Sequence, residues 1–391
     1  MPRTGEIFWT FLRLGLIAFG GPVAHLGYFR RWFVEERRWL TDEAYAQTLA
    51  LCQMLPGPSS SQTGFAIGIH RGGLIGGIAA WVAFTLPSAL IMIAIGMGVT
   101  TLDGFADAGW LQGLKLAAVA VVANALYGMA RQLCPDLPRI AIAVAATLGA
   151  SLLPGVGGQV AMIVLGGLTA LLCLGAPGPT AGTLDIDISH RQGLVALGIF
   201  AAALLVLTLP LPGLPALWGV LYRSGALVFG GGHVVLPLLE NGLVAPGFID
   251  GDRFLAGYGA AQAIPGPIFT FGGYLGAQIM PNQALWAGLL AILVIFLPGL
   301  LLVAGLLPFW NALSRFRRVR QALLGINAAV VGLIAAVLWD PILVKGIGDP
   351  GSGLIALLAL GALALLRLPA WAVVAACALA GELVTRLPAG G

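Results

Sequence analysis

The sequence predicts an all-α polytopic membrane protein whose two homologous halves form an inverted repeat, with about 10–13 membrane helices or segments and re-entrant helices broken at Pro-Gly-Pro. Three observations carry this. The first is composition: 59% of the 391 residues are hydrophobic and 9% are charged, whereas soluble domains hold about 25% charged residues. So little charge cannot cover a water-facing surface, and most of the chain must face lipid or other helices. The second is duplication. "RLGLIAFGG" (Arg13–Gly21) matches "RSGALVFGG" (Arg223–Gly231), Gln53-x-x-Pro56-Gly57-Pro58 matches Gln262-x-x-Pro265-Gly266-Pro267, and Pro87 in "FTLPSALI" matches Pro298 in "IFLPGLLL". The third is loop charge. Arg30, Arg31, Arg37 and Arg38 fill one loop, whose counterpart at 239–251 has no Lys or Arg but holds Glu240 and Asp250. Asp103 and Asp107 sit in another, whose counterpart holds Arg315, Arg317, Arg318 and Arg320. Basic loops stay in the cytoplasm, so the copies cross in opposite senses.

The division reads as a first repeat over 1–175, a linker with an extra membrane segment over 176–213, and a second repeat over 214–391. The first apolar stretch, 7–29, contains Arg13 and Gly20-Gly21-Pro22 and lacks the cleavage site of a signal sequence. In the loop after it, Glu35, Glu36, Asp42 and Glu43 accompany four arginines as a solvated face. Residues 44–55 and 62–70 are each too short to span, and Pro56-Gly57-Pro58 divides them. Together they read as a re-entrant hairpin that enters from the cytoplasm, breaks at depth and returns. Proline ends a helix, glycine permits the bend, and Ser59, Ser60 and Ser61 stand where a new helix begins, serine being a preferred N-cap. Further spans fall near 74–100, 112–131, 139–153, 158–176 and 191–211. With 7–29 that makes six, and six full crossings would leave the copies parallel. One segment must therefore cross differently; 139–153 is short against the roughly 20 residues that a span needs.

Two such hairpins from inverted halves would meet near the midplane. A helix N-terminus carries free N–H groups and about half a positive charge, which favours an anion. The candidate substrate-binding residues are Arg13, Gln53, Pro56, Gly57, Pro58, Ser59, Ser60, Arg223, Gln262, Pro265, Gly266 and Pro267. Arg13 and Arg223 lie inside apolar segments at one repeat position and either meet an oxyanion or snorkel to an interface. Ile268 and Phe269 stand where the first copy has serines, so the site is asymmetric. His25, Lys115 and His233 are candidates for a path or proton relay, against a structural or snorkelling role. Asn124 and Asn327 read as helix-to-helix hydrogen bonders. Cys52, Cys134, Cys173 and Cys377 are scattered without a CxxC and read as reduced packing residues, so neither a disulfide framework nor a metal is implied. No cofactor and no nucleic-acid partner is expected: glycine-rich runs such as Gly72–Gly77 lack a Walker lysine, and the +4 net charge belongs to short orienting loops.

These segments carry a resemblance. "FGGPVAHL", "ERRWLTDEAYAQTLALCQMLPGPSSSQTGFAIG" and "FTLPSALI", with "FGGGHVVLPLL", "AQAIPGPIFTFGGYLGA" and "FLPG" in the second half, resemble the chromate ion transporter family in its two-domain form. The family's motifs fall on Gly20, Gly21, Pro22, Gln53, Pro56–Pro58 and Pro87, then on Gly230–Gly232, Gln262, Pro265–Pro267 and Pro298. The resemblance implies export of chromate across the cell inner membrane, driven by the membrane potential or a proton gradient, with sulfate as the look-alike competitor. An oxyanion channel, a sulfate-type transporter and a lipid transporter are the rivals. An intramembrane enzyme is disfavoured, because the chain has no HExxH, no GxSxG and no paired intramembrane carboxylates. Glycine-rich helix faces suit a homodimer.

Overall fold

A computed structural model describes residues 3–19, 21–101, 109–153, 156–175, 188–209, 214–228, 235–313 and 316–386, and those residues form helices and connecting turns without a strand. His233 and Gly230–Gly232, like Gly20, lie outside the described residues. Among the described residues five helices are long and apolar enough to cross a membrane.

The first half opens with α1 (Arg3–Ile17) and α2 (Gly21–Phe29), the latter running on as a π-helical segment to Glu36. These two run antiparallel. His25 Nε2 meets Ala18 O at 3.0 Å, Phe11 stacks on Phe33 at 4.8 Å, and Arg37 reaches Glu6 at 3.6 Å. The stretch 7–29 is therefore a hairpin that turns back on itself and not one continuous span, while the helix at 139–153 is one of the shorter apolar helices.

A second hairpin follows. α3 (Asp42–Met54) descends, Pro56-Gly57-Pro58 bends, and the first arm of α4 (Ser59–Thr101) climbs back. Arg71 at its top meets the same Glu6 at 3.3 Å. Gly72 and Gly73 leave helical geometry, Gly73 with φ +64°, and turn α4 sharply. The second arm, 74–101, then crosses. On the basic side Arg30 pairs with Glu35 and Asp42, and Arg31 with Glu36, all exposed. Glu43 is exposed beside them.

α5 (Gly109–Leu133), α6 (Leu137–Leu152) and α7 (Val156–Cys173) complete the half. α8 (His190–Thr208) has no counterpart in the repeat. The second half repeats the plan: α9 (Leu214–Leu227), α10 (Val235–Leu239), α11 (Gly251–Ala263), α12 (Phe271–Ile279) and α13 (Ala284–Leu306). The turn α14 (Trp310–Leu313), α15 (Arg317–Val337), the turn α16 (Val344–Gly346), α17 (Pro350–Ala364) and α18 (Ala370–Arg386) follow.

The parity of crossings explains the inversion. Ahead of the second copy, the helices long and apolar enough to cross among the described residues lie in α4, α5 and α8, while the two hairpins turn back and α6 and α7 form an antiparallel pair. Three candidate passes, an odd number, agree with the reversal that the loop charges predict. The ion pair between Lys115, near the start of α5, and Asp252, in the first turn of α11, agrees: at 3.0 Å it puts the start of α11 on the side where α5 begins, away from the basic side where α3 begins.

The halves are interwoven. A Cβ at Gly325 of α15 would lie 2.0 Å from Gly166 O of α7, and one at Gly113 of α5 would lie 2.0 Å from Cys377 O of α18. The last helices of each half thus pack on the other half's long helix, backbone to backbone, as small residues allow. Cys52, Cys134 and Cys377 are buried and unpaired, and Cys173 is exposed.

Candidate functional site

The two Pro-Gly-Pro bends are held by the opposite halves. Gly57 N–H donates to Val228 O at 2.6 Å, and Gly266 N–H donates to Ala18 O at 2.9 Å. Ala18 and Val228 occupy one repeat position, as do Gly57 and Gly266. Each bend is therefore latched to the end of the other half's first helix, and the latches are exchanged by the pseudo-twofold. Each bend also sits against the residue that follows the other half's in-helix proline, Pro298 or Pro87. A Cβ at Gly57 would lie 3.0 Å from Gly299 Cα, and one at Gly266 would lie 2.7 Å from Ser88 Oγ. Gly57 (φ +129°) and Gly266 (φ +101°) adopt backbone that side chains resist.

The bends lie near mid-depth. α4 and α13 run antiparallel, with Trp81 against Phe296 and Ile93 against Gly288. Ser88 stands at the middle of the 74–101 arm, and Gly299 lies about four residues, roughly 6 Å, from the middle of α13. Irregular backbone at that depth must be buried in protein or line a cavity.

Buried polar atoms gather on these elements. Gln62, fully buried, donates through Nε2 to Pro56 O at 2.8 Å and to Gly299 O at 3.2 Å. Its Oε1, with Ser61 Oγ, Thr85 Oγ1, Gln262 Nε2 and His25 Nδ1, is buried without a hydrogen-bond partner. Such atoms are uncommon in folded proteins, and each calls for an explanation such as a bound group or water. The new helix begins at Ser59, so the cap position is Pro58, whose carbonyl accepts from Gln62 N–H at 2.9 Å. Ser60 and Ser61 are buried in the first turn, where backbone N–H groups have no intrahelical acceptor. Neither bend carries a charged side chain. The arrangement presents neutral donors and a helix N-terminus at depth, which suits an anion that sheds its water.

Of the residues that the sequence singled out, Pro56, Gly57, Pro58, Ser59 and Ser60 stand at the first bend and Gln262, Pro265, Gly266 and Pro267 at the second, and each bend packs against the other half. Sequence reasoning missed Gln62 and Thr85. Gln53 is exposed at the end of α3. The arginines sit elsewhere. Arg223 donates to Leu207 O, in the last turn of α8, at 3.3 Å. Arg13 is exposed on the outer face of α1 with Trp9, Leu16 and Ile17. Lys115 is engaged with Asp252. His25 donates to the latch carbonyl Ala18 O. Among the described residues no group of three or more His, Cys, Asp or Glu could hold a metal ion.

No solved structure matches the chain. Curated proteins do. A probable chromate transport protein of Synechococcus elongatus is 29% identical over 335 residues, covering 83% of this chain and 81% of that protein. The chromate transport protein of Pseudomonas aeruginosa is 29% identical over 360 residues, covering 86% and 80%. An uncharacterized transporter of Methanocaldococcus jannaschii is 25% identical over 350 residues, covering 86% and 84%. The chromate transporter family profile matches twice, at residues 5–172 and 215–382, one match on each of the two units that exchange latches, and the chain therefore belongs to the chromate transporter family.

Proposed function

We propose that the chain is a secondary transporter that exports chromate from the cytoplasm across the inner membrane by alternating access, driven by the membrane potential or a proton gradient. The observation that carries this reading is the reciprocal pair of latched bends at mid-depth, with unpartnered polar atoms around them. Midplane sites built from broken helices of inverted repeats are the usual plan of such carriers. Chromate is a tetrahedral dianion. The N–H groups at the start of α4, Gln262 Nε2 and the Ser61 and Thr85 hydroxyls are the donors proposed to replace its water. The relatives named for chromate transport support the substrate.

In this reading the functional units are 1–175 and 214–391, joined by 176–213, and they rock about the bends. The Lys115–Asp252 pair ties the halves on the outer side. Sulfate, of the same shape and charge, competes. A homodimer belongs to the same reading, with the uncovered outer face of α1 as its candidate contact. The test is chromate uptake into inverted vesicles, energised and then collapsed with an uncoupler, with sulfate as competitor. Energy-dependent accumulation is expected. Uptake that only equilibrates would identify a channel, and absence of chromate uptake by folded, inserted protein would overturn the substrate.

A further inference from the structure

A groove of about 480 Å³ lies between the second arm of α4, α8 and α13, apart from the bends. Its walls are aliphatic and aromatic, with Leu74, Ile78, Trp81, Val195 and Leu297 among them, and Arg191 is the one charged residue that lines it. Leu74, Ile78, Val195 and Ile199 are exposed toward the bilayer side, so the groove opens laterally. Its orientation follows from the helices. Leu74 comes directly after the Gly72-Gly73 turn, and Arg191 is in the first turn of α8. Both are at the basic, cytoplasmic end. From Leu74 to Trp81 the groove descends about 10 Å, and from Arg191 to Ile199 about 12 Å, at 1.5 Å per residue. That approaches one leaflet of a hydrocarbon core about 30 Å thick.

The end charge decides what fits. The neighbouring Gln192 is occupied with Ser189, in the capping box of α8, while Arg191 is exposed. The cytoplasmic leaflet is the one that carries anionic lipid, and basic residues near its surface attract it. We propose that this groove holds one acyl chain of an anionic phospholipid of the cytoplasmic leaflet, with its phosphate on Arg191. The site has a route to the transport machinery. Trp81 at its deep end meets Phe296 edge-on at 5.7 Å, and Phe296 meets Phe269, next to the second bend, at 5.4 Å. An occupied groove would hold Trp81, and through it the wall behind Pro265-Gly266-Pro267.

The experiment uses the full chain in proteoliposomes containing phosphatidylglycerol or phosphatidylcholine with a diazirine midway along one acyl chain, the adducts being mapped by mass spectrometry. Phosphatidylglycerol is expected to label Ile78, Trp81, Val195 or Leu297 about fivefold more than phosphatidylcholine, the attraction of one basic residue. Arg191→Gln should bring the two lipids level. Val195→Trp should remove labelling in the groove and leave it at the outward residues Leu357 and Leu358. Equal labelling by the two lipids in the unaltered chain, or a preference that survives Arg191→Gln, would overturn the headgroup assignment. Labelling no denser in the groove than at Leu357 and Leu358 would overturn the site itself. None of these outcomes depends on whether the transported ion is chromate.

Discussion

A methyl group added at Gly57 would meet Gln62 Nε2 at 2.6 Å and Gly299 Cα at 3.0 Å, on backbone at φ +129°. Gly57→Ala is therefore expected to abolish transport, whereas Gly5→Ala, with nothing within 4 Å, should not; vesicle uptake normalised to inserted protein reads both. Gln62→Leu keeps the volume but strips Pro56 O and Gly299 O of their donor, at about 1–3 kcal/mol per orphaned group. A lowered melting temperature together with lost uptake is expected, and an unchanged melt would show that Gln62 does not tie the halves. The arginines should separate by readout. Arg223→Ala removes the contact to the end of α8 and is expected to lower thermal stability without changing KM for the anion. Gln62 escaped the sequence reading because Phe271 holds its place in the second copy, so the repeat did not flag it. The partner of Arg223 is a backbone carbonyl, which leaves no mark in a sequence searched for carboxylates. The bends themselves were legible, because proline and glycine constrain the backbone wherever they stand.

Helices packed backbone to backbone leave no room for a side chain. A leucine at Gly325 would press into Gly166 O of α7, while Gly361 on α17 faces open space. Overpacking of this kind costs typically 1–3 kcal/mol, occasionally more. Gly325→Leu should reduce the yield of folded protein in size-exclusion chromatography, and Gly361→Leu should leave it unchanged. The first hairpin illustrates what the sequence hides at this scale. Residues 7–29 form one apolar run of spanning length, and the contacts of His25 with Ala18, Phe11 with Phe33 and Glu6 with Arg37 reveal that α1 and α2 turn back. The cross-packing of α7 on α15 and of α18 on α5 was also illegible, since hydropathy says that a helix is buried in lipid or protein but not against which partner.

Interweaving of the halves has a consequence for the whole chain. Fragments 1–181 and 182–391, expressed together, are expected to co-purify and to transport, while neither is expected to fold alone; recovery of a monodisperse single fragment would contradict this. Inversion is tested in a Cys173→Ser background, which removes the one exposed thiol. Glu36→Cys should react with an impermeant maleimide only from the cytoplasm and Ala245→Cys only from outside, and labelling of both from one side would refute it. The two bends are equivalent in backbone but not in side chains, serines facing one and Ile268 and Phe269 the other. In the proposed alternating-access cycle, the inward-open and outward-open forms would therefore not be mirror images, and their energies would have no reason to coincide. A gap of about 1.4 kcal/mol is already a tenfold bias in occupancy. In that cycle such a bias would decide on which side the empty carrier waits and which half-cycle limits turnover, but it could not set the direction of net flux, which only an external gradient can impose.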